Sequence, residues 1–110
     1  IMSIDQRYIN RYCDVLQTLT GKYKVHCPVC RYIPTAKKGK LKPNSRSAVL
    51  LPLERCKNKY VFYCSRCDSE GRSSGMDLLS YLYRVNPIAA ERYKAEKNGL
   101  EGFNFKPKFS

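Results

Sequence analysis

The sequence predicts an α+β domain: an antiparallel sheet of three or four strands pinned by a metal site, with one helix before it and two after it. Three observations predict this. Two Cys-x-x-Cys pairs, Cys27/Cys30 and Cys64/Cys67, bracket the middle of the chain. Short runs rich in β-branched and aromatic residues lead into each pair. Apolar residues at three- and four-residue spacing occupy the two ends. With 110 residues the chain is long enough for one domain but not two. Its core is modest, and a metal often supplements a core of that size.

The first helix is expected over Ile4–Leu19, where Tyr8, Ile9, Tyr12, Val15, Leu16 and Leu19 make one apolar stripe. Ser3 with Gln6 matches a capping box, and Gly21 suits the helix stop. Lys22–His26 alternates and reads as a strand entering the first knuckle. Arg31–Arg46 is loop-like, with Pro34, Gly39 and Pro43. Ala48–Arg55 reads as a strand that Pro52 demotes to an edge or bulged one. Lys57-Asn58-Lys59 is a hairpin turn into Tyr60–Cys64, the clearest strand. Gly71 and Gly75 punctuate a turn, and Ser74 or Gly75 caps a helix over Met76–Val85. Asn86 then caps a helix that opens at Pro87, runs to about Lys97 and stops at Gly99. Residues 1–98 form the domain, and 99–110 a flexible or partner-docking tail.

The cysteines carry the chemistry. A Cys-x-x-Cys turn aims two sulfurs at one point, and two such knuckles give the four thiolates of one structural zinc ion. The expected ligands are Cys27, Cys30, Cys64 and Cys67, and the architecture is a small zinc ribbon. Such a site is closed: it holds the fold and activates no water. The 33 residues between Cys30 and Cys64 require strands to fold back and unite the knuckles. Iron–sulfur ligation is the main competitor, and His26 is an alternative ligand beside Cys27. Cys13 and Cys56 read as ordinary free cysteines. With no apolar export segment at its start, the chain is expected in the reducing cytoplasm. The longest apolar run, Ala48–Leu53, is far too short to span a membrane.

Lys and Arg total 21 against nine Asp and Glu, a formal charge of +12. One zinc bound by four thiolates lowers that by about two. The partner is therefore expected to be polyanionic, with nucleic acid ahead of a membrane surface.

The run Lys22-Tyr23-Lys24-Val25-His26-Cys27-Pro28-Val29-Cys30, with Tyr63-Cys64-Ser65-Arg66-Cys67, resembles the zinc-binding domain of bacterial and phage DNA primases. The continuation through Gly71 to Asp77-Leu78-Leu79 and Tyr81 is similar to the family's glycine turn and Asp-Phe-Leu helix opening. The resemblance covers about residues 3–95. Many bacterial members carry histidine where this chain has Cys30, whereas phage primase-helicases commonly use four cysteines. The resemblance implies a module that binds single-stranded DNA template and assists primer synthesis. Its partners would be a DNA polymerase, a primase catalytic domain or a helicase, in the setting of a phage or mobile element. No acidic cluster suited to catalytic magnesium is present, so no catalytic residue is assigned.

For nucleic acid, Lys37, Lys38, Lys40, Lys42 and Arg46 would grip phosphates from the loop. Arg55, Lys57 and Lys59 would do so from the hairpin, and Arg66 and Arg72 from the second knuckle. Tyr60 and Phe62 share one face of their strand and Val61 and Tyr63 the other; Tyr60 and Phe62 are taken as the base-stacking pair. The competing reading is a zinc-scaffolded module docking on a replication or transcription enzyme, with Phe103, Phe105 and Phe109 of the tail as contacts. A small nuclease is a third reading, disfavoured by a lone histidine and scattered acids.

Overall fold

Helix α1 (Ile4–Tyr12) begins where its capping box requires. The Ser3 hydroxyl accepts from the Gln6 backbone N–H at 3.2 Å, and the Gln6 side chain accepts from the Ser3 N–H at 3.0 Å. The computed structural model describes residues 3–31, 36–37, 40–41, 48–53, 59–72 and 74–101. α1 ends at Cys13 rather than continuing to Leu19, because Val15–Leu19 is a strand, β1. Val15, Leu16 and Leu19 satisfy a helical period, but pairing with the next segment overrides it. Gly21, at φ +77°, makes the reversal between β1 and β2 (Lys22–Val25) rather than a helix stop.

β2, β5 (Ala48–Pro52) and β6 (Tyr60–Cys64) follow the expected strands, but β5 is the central strand and not an edge or bulged one, because Pro52 stands at its last position, where only β6 pairs with it. Two more strands complete the sheet: β1 at one edge and β7 (Gly75–Asp77) at the other. The sheet is thus five-stranded and antiparallel, in the order β1-β2-β5-β6-β7, instead of three- or four-stranded. A separate two-stranded pair, β3 (Ala36–Lys37) with β4 (Lys40–Leu41), lies between β2 and β5 in the chain.

Register separates the two faces. Tyr23, Leu50, Phe62 and Met76 form one row across four strands; Lys24, Val49, Tyr63 and Gly75 form the adjacent row on the other face. The first row meets the helix α3 (Leu78–Val85), and α4 (Pro87–Glu101) packs on α3 and α1. Phe62 stacks on Tyr81 of α3 with ring centres 4.8 Å apart. Ile9, Leu50, Phe62, Leu78, Tyr81 and Leu82 are essentially sealed from solvent. Asp77, the last residue of β7, is the N-cap of α3 in place of Ser74 or Gly75; its carboxylate accepts from the Ser80 N–H at 2.9 Å. Asn86 caps α4 as expected, accepting from the Ala89 N–H at 3.1 Å. Gly99 lies inside α4, which runs on to Glu101; residues 102–110 of the expected tail lie outside the described residues.

A buried carboxylate ties the ends together. Asp5 of α1 is 1% exposed. Its Oδ2 accepts from the Tyr60 N–H at 2.8 Å, and its Oδ1 from the Tyr93 hydroxyl at 2.8 Å and Lys97 Nζ at 3.3 Å. One side chain thus joins α1, the start of β6 and α4. Among the described residues no helix is long and apolar enough to cross a membrane.

Candidate metal centre

The register brings the knuckles together. Val25 pairs with Ala48, and Ala48 with Cys64, so β2 and β6 end level on either side of β5. Cys27 follows just beyond Val25, and the second knuckle starts on Cys64 itself.

The four sulfurs of Cys27, Cys30, Cys64 and Cys67 lie within 4.8 Å of one another. The Cys27–Cys67 and Cys30–Cys64 Sγ separations are both 3.7 Å. That is far beyond the ~2 Å of a disulfide. Cys27, Cys64 and Cys67 are fully buried and Cys30 half-buried. Backbone donors point inward. Cys27 Sγ accepts from the Val29 and Cys30 N–H groups at 3.3 and 3.4 Å. Cys64 Sγ accepts from the Cys67 N–H at 3.3 Å, which makes Cys64 the N-cap of the short helix α2 (Ser65–Ser69). Such N–H···S contacts favour thiolate over thiol. Burial acts the other way and pushes the Cys27 thiol up, and the Cys64 thiol to about 12. A cation among the sulfurs resolves that conflict, because binding it releases the protons. The donor set therefore fits a structural metal ion, and the site has no open position.

Each knuckle closes on a left-handed residue. Arg31, at φ +58°, donates its N–H to the Cys27 carbonyl at 2.8 Å. After the second knuckle Gly71 takes φ +79°, and the Arg72 N–H reaches the Cys67 carbonyl at 2.8 Å. Glycine adopts that conformation freely, whereas an L side chain loses about 1 kcal/mol. Arg31→Gly is accordingly expected to stabilise the metal-loaded protein by about 0.5–1 kcal/mol, read as a rise of a few degrees in Tm. No rise would place the strain elsewhere in the turn.

His26 stands beside the site but is not among the four clustered donors. Cys13 is buried in the core, where burial pushes its thiol up to about 12 and keeps it inert. Cys56 lies outside the described residues.

The structure redistributes the residues expected to touch nucleic acid. Tyr60 and Phe62, expected as stacking platforms, are 6% and 1% exposed and belong to the core. Alternation along β6 is as expected, but its outward face carries Val61 and Tyr63. Tyr63 is 38% exposed. The Asp68 carboxylate, hydrogen-bonded to its hydroxyl, holds the phenol above its ordinary range. Lys59 is exposed at the entrance to β6. Arg66 and Arg72 are exposed beside the second knuckle and share one carboxylate: Glu70 lies 3.5 Å from Arg66 and also pairs with Arg72. Exposed pairs of this kind are weak enough to exchange for a phosphate. Lys37 and Lys40 are register partners in the β3–β4 pair. Lys38, Lys42, Arg46, Arg55 and Lys57 lie outside the described residues. Sequence reasoning passed over Asp5 and Asp68, since neither role is visible without the fold.

Comparison with family models, curated proteins and solved structures finds no match to this chain.

Proposed function

We propose that the chain is a zinc-ribbon module that binds single-stranded DNA template and assists primer synthesis by a separate catalytic unit, in the manner of primase zinc-binding domains. The observation that carries the reading is the Cys27/Cys30/Cys64/Cys67 cluster, set next to an exposed aromatic and two arginines. A zinc ion with four thiolates at about 2.3 Å needs sulfurs about 3.8 Å apart, close to the 3.7 Å of the Cys27–Cys67 and Cys30–Cys64 pairs, with all four within 4.8 Å. A single ion fits that cage, and an iron–sulfur cluster needs a larger one.

Tyr63, Arg66 and Arg72 supply the local chemistry: a ring for a base and guanidinium groups for the phosphates beside it. The charge of +12 supplies the attraction. The resemblance of both knuckles and of the Asp77-Leu78-Leu79 helix opening to primase zinc domains selects template DNA from other polyanions.

The test is fluorescence anisotropy with labelled single- and double-stranded oligonucleotides at several salt concentrations. If about five phosphates are neutralised on a single strand, log affinity falls against log salt with a slope near −3.5. Tyr63→Ala is expected to weaken single-strand binding by about 1–3 kcal/mol with little change in Tm. A slope near zero, or an equal preference for duplex, would overturn the reading. A second reading, a zinc-scaffolded docking module, is favoured by Ile88, which is 73% exposed at the start of α4. Absence of any DNA binding at low salt would leave that one standing.

A further inference from the structure

The side of α1 away from its capping box borders a groove of about 510 Å³ shared with α4. Arg7, Tyr8, Arg11 and Tyr12 line it from α1, and Arg92 and Glu96 from α4. The size is that of a small-molecule site.

Its charges are unbalanced. Three guanidinium groups meet one carboxylate, and that carboxylate is committed. Glu96 pairs with Arg7 and accepts from the Tyr8 hydroxyl at 2.9 Å. The adjacent Arg7 guanidinium holds the Glu96 carboxyl below its usual range. Arg7 and Tyr8 are thereby fixed as one wall. Arg11 and Arg92 have no carboxylate partner among the described residues. Arg7 and Arg11 stand one helical turn apart, where like charges repel.

The groove also offers a ring. Tyr12 is half-buried, packed at 5.3 Å against Tyr8, with the Arg11 guanidinium over its ring at 5.6 Å from the centre. Tyr8 is itself held by Tyr93 at 5.4 Å, edge to face. A supported aromatic ring next to two guanidinium groups matches one chemistry well: a planar base joined to phosphate. Guanidinium takes phosphate oxygens in pairs, and the ring takes the base face. An acidic peptide would use the arginines and leave Tyr12 idle.

We propose that the α1–α4 groove is a nucleoside-phosphate site, in which Arg11 and Arg92 bind phosphate and Tyr12 stacks on the base. It is separate from the Tyr63 face and stands without the template-binding reading.

Isothermal titration of the metal-loaded chain tests it, with ATP, inorganic tripolyphosphate, oligothymidylate and polyglutamate as probes. The wild type is expected to bind ATP more tightly than tripolyphosphate. The double variant Arg11→Ala/Arg92→Ala should lose about tenfold or more in ATP affinity, the value of one charged hydrogen bond. Both side chains are exposed, so its Tm should hold. Tyr12→Leu should erase the advantage of ATP over tripolyphosphate. Tyr63→Ala should leave ATP binding within about twofold, while a failed template reading would show only in oligothymidylate. Loss of oligothymidylate affinity in the double variant assigns the nucleotide to a strand; loss of ATP affinity alone assigns a free nucleotide. Unchanged ATP binding in the double variant, or polyglutamate binding as tightly as ATP, overturns the proposal.

Discussion

Cys64→Ser is expected to lose the metal and the fold together. Cys64 is fully buried, ends β6, caps α2 and belongs to the same apolar cluster as Phe62 and Tyr81. A serine hydroxyl is a poor substitute for thiolate and leaves a polar group in that cluster. Structural zinc contributes on the order of 10–16 kcal/mol in zinc-finger peptides. A domain of this size has only about 5–15 kcal/mol in total. Native mass spectrometry should find one metal ion on the wild type and none on the variant, and the variant's thermal transition should vanish. Cys13→Ser, also buried but not one of the four clustered donors, should keep the ion and lose only about 1–3 kcal/mol. If Cys64→Ser melted cooperatively near the wild-type temperature, the apolar core would be sufficient and the metal dispensable.

Asp5→Ala is expected to be the most damaging change outside the knuckles. It leaves the Tyr60 N–H, the Tyr93 hydroxyl and Lys97 facing a void at a position 1% exposed. Removing one member of a buried charged network typically destabilises by about 3–5 kcal/mol. For a domain of about this length that lowers Tm by about 12–30 °C. Asp5→Asn keeps one acceptor oxygen and should fall between. Lys97→Met should be milder, since the Asp5 carboxylate keeps two neutral donors. A loss below about 1 kcal/mol for Asp5→Ala would mean that water replaces the carboxylate, and that Ile9, Tyr8 and the Arg7–Glu96 pair suffice to hold α1.

The metal ligands were legible because Cys-x-x-Cys is local: spacing alone puts two sulfurs on one turn. β2, β5 and β6 were legible for the same reason, their alternation and β-branched content being written within a few residues. Ser3/Gln6 and Asn86 are also local signals, and both cap their helices. What failed depended on partners far along the chain. Val15–Leu19 carries apolar residues at positions compatible with either period, and only its pairing with β2 decides for strand. β7 is three residues long and exists because β6 offers an edge. The two faces of β6 were visible as a pattern, yet which one meets α3 is set by Tyr81, far along the chain. Asp5 at the start of a helix reads as a dipole partner. Its donors are 55, 88 and 92 positions away.

Those separations also set an order of events on the ribosome. Synthesis adds roughly 5–20 residues per second, so Asp5 waits on the order of 5–20 s for the donor that stands 92 positions later. All four thiols and the strands that carry them are made within that interval. The nascent chain therefore holds all four thiols before the last donor of Asp5 is made. Of the described helices, the earliest made is the last to be secured, and until then the buried Asp5 carboxylate remains in water.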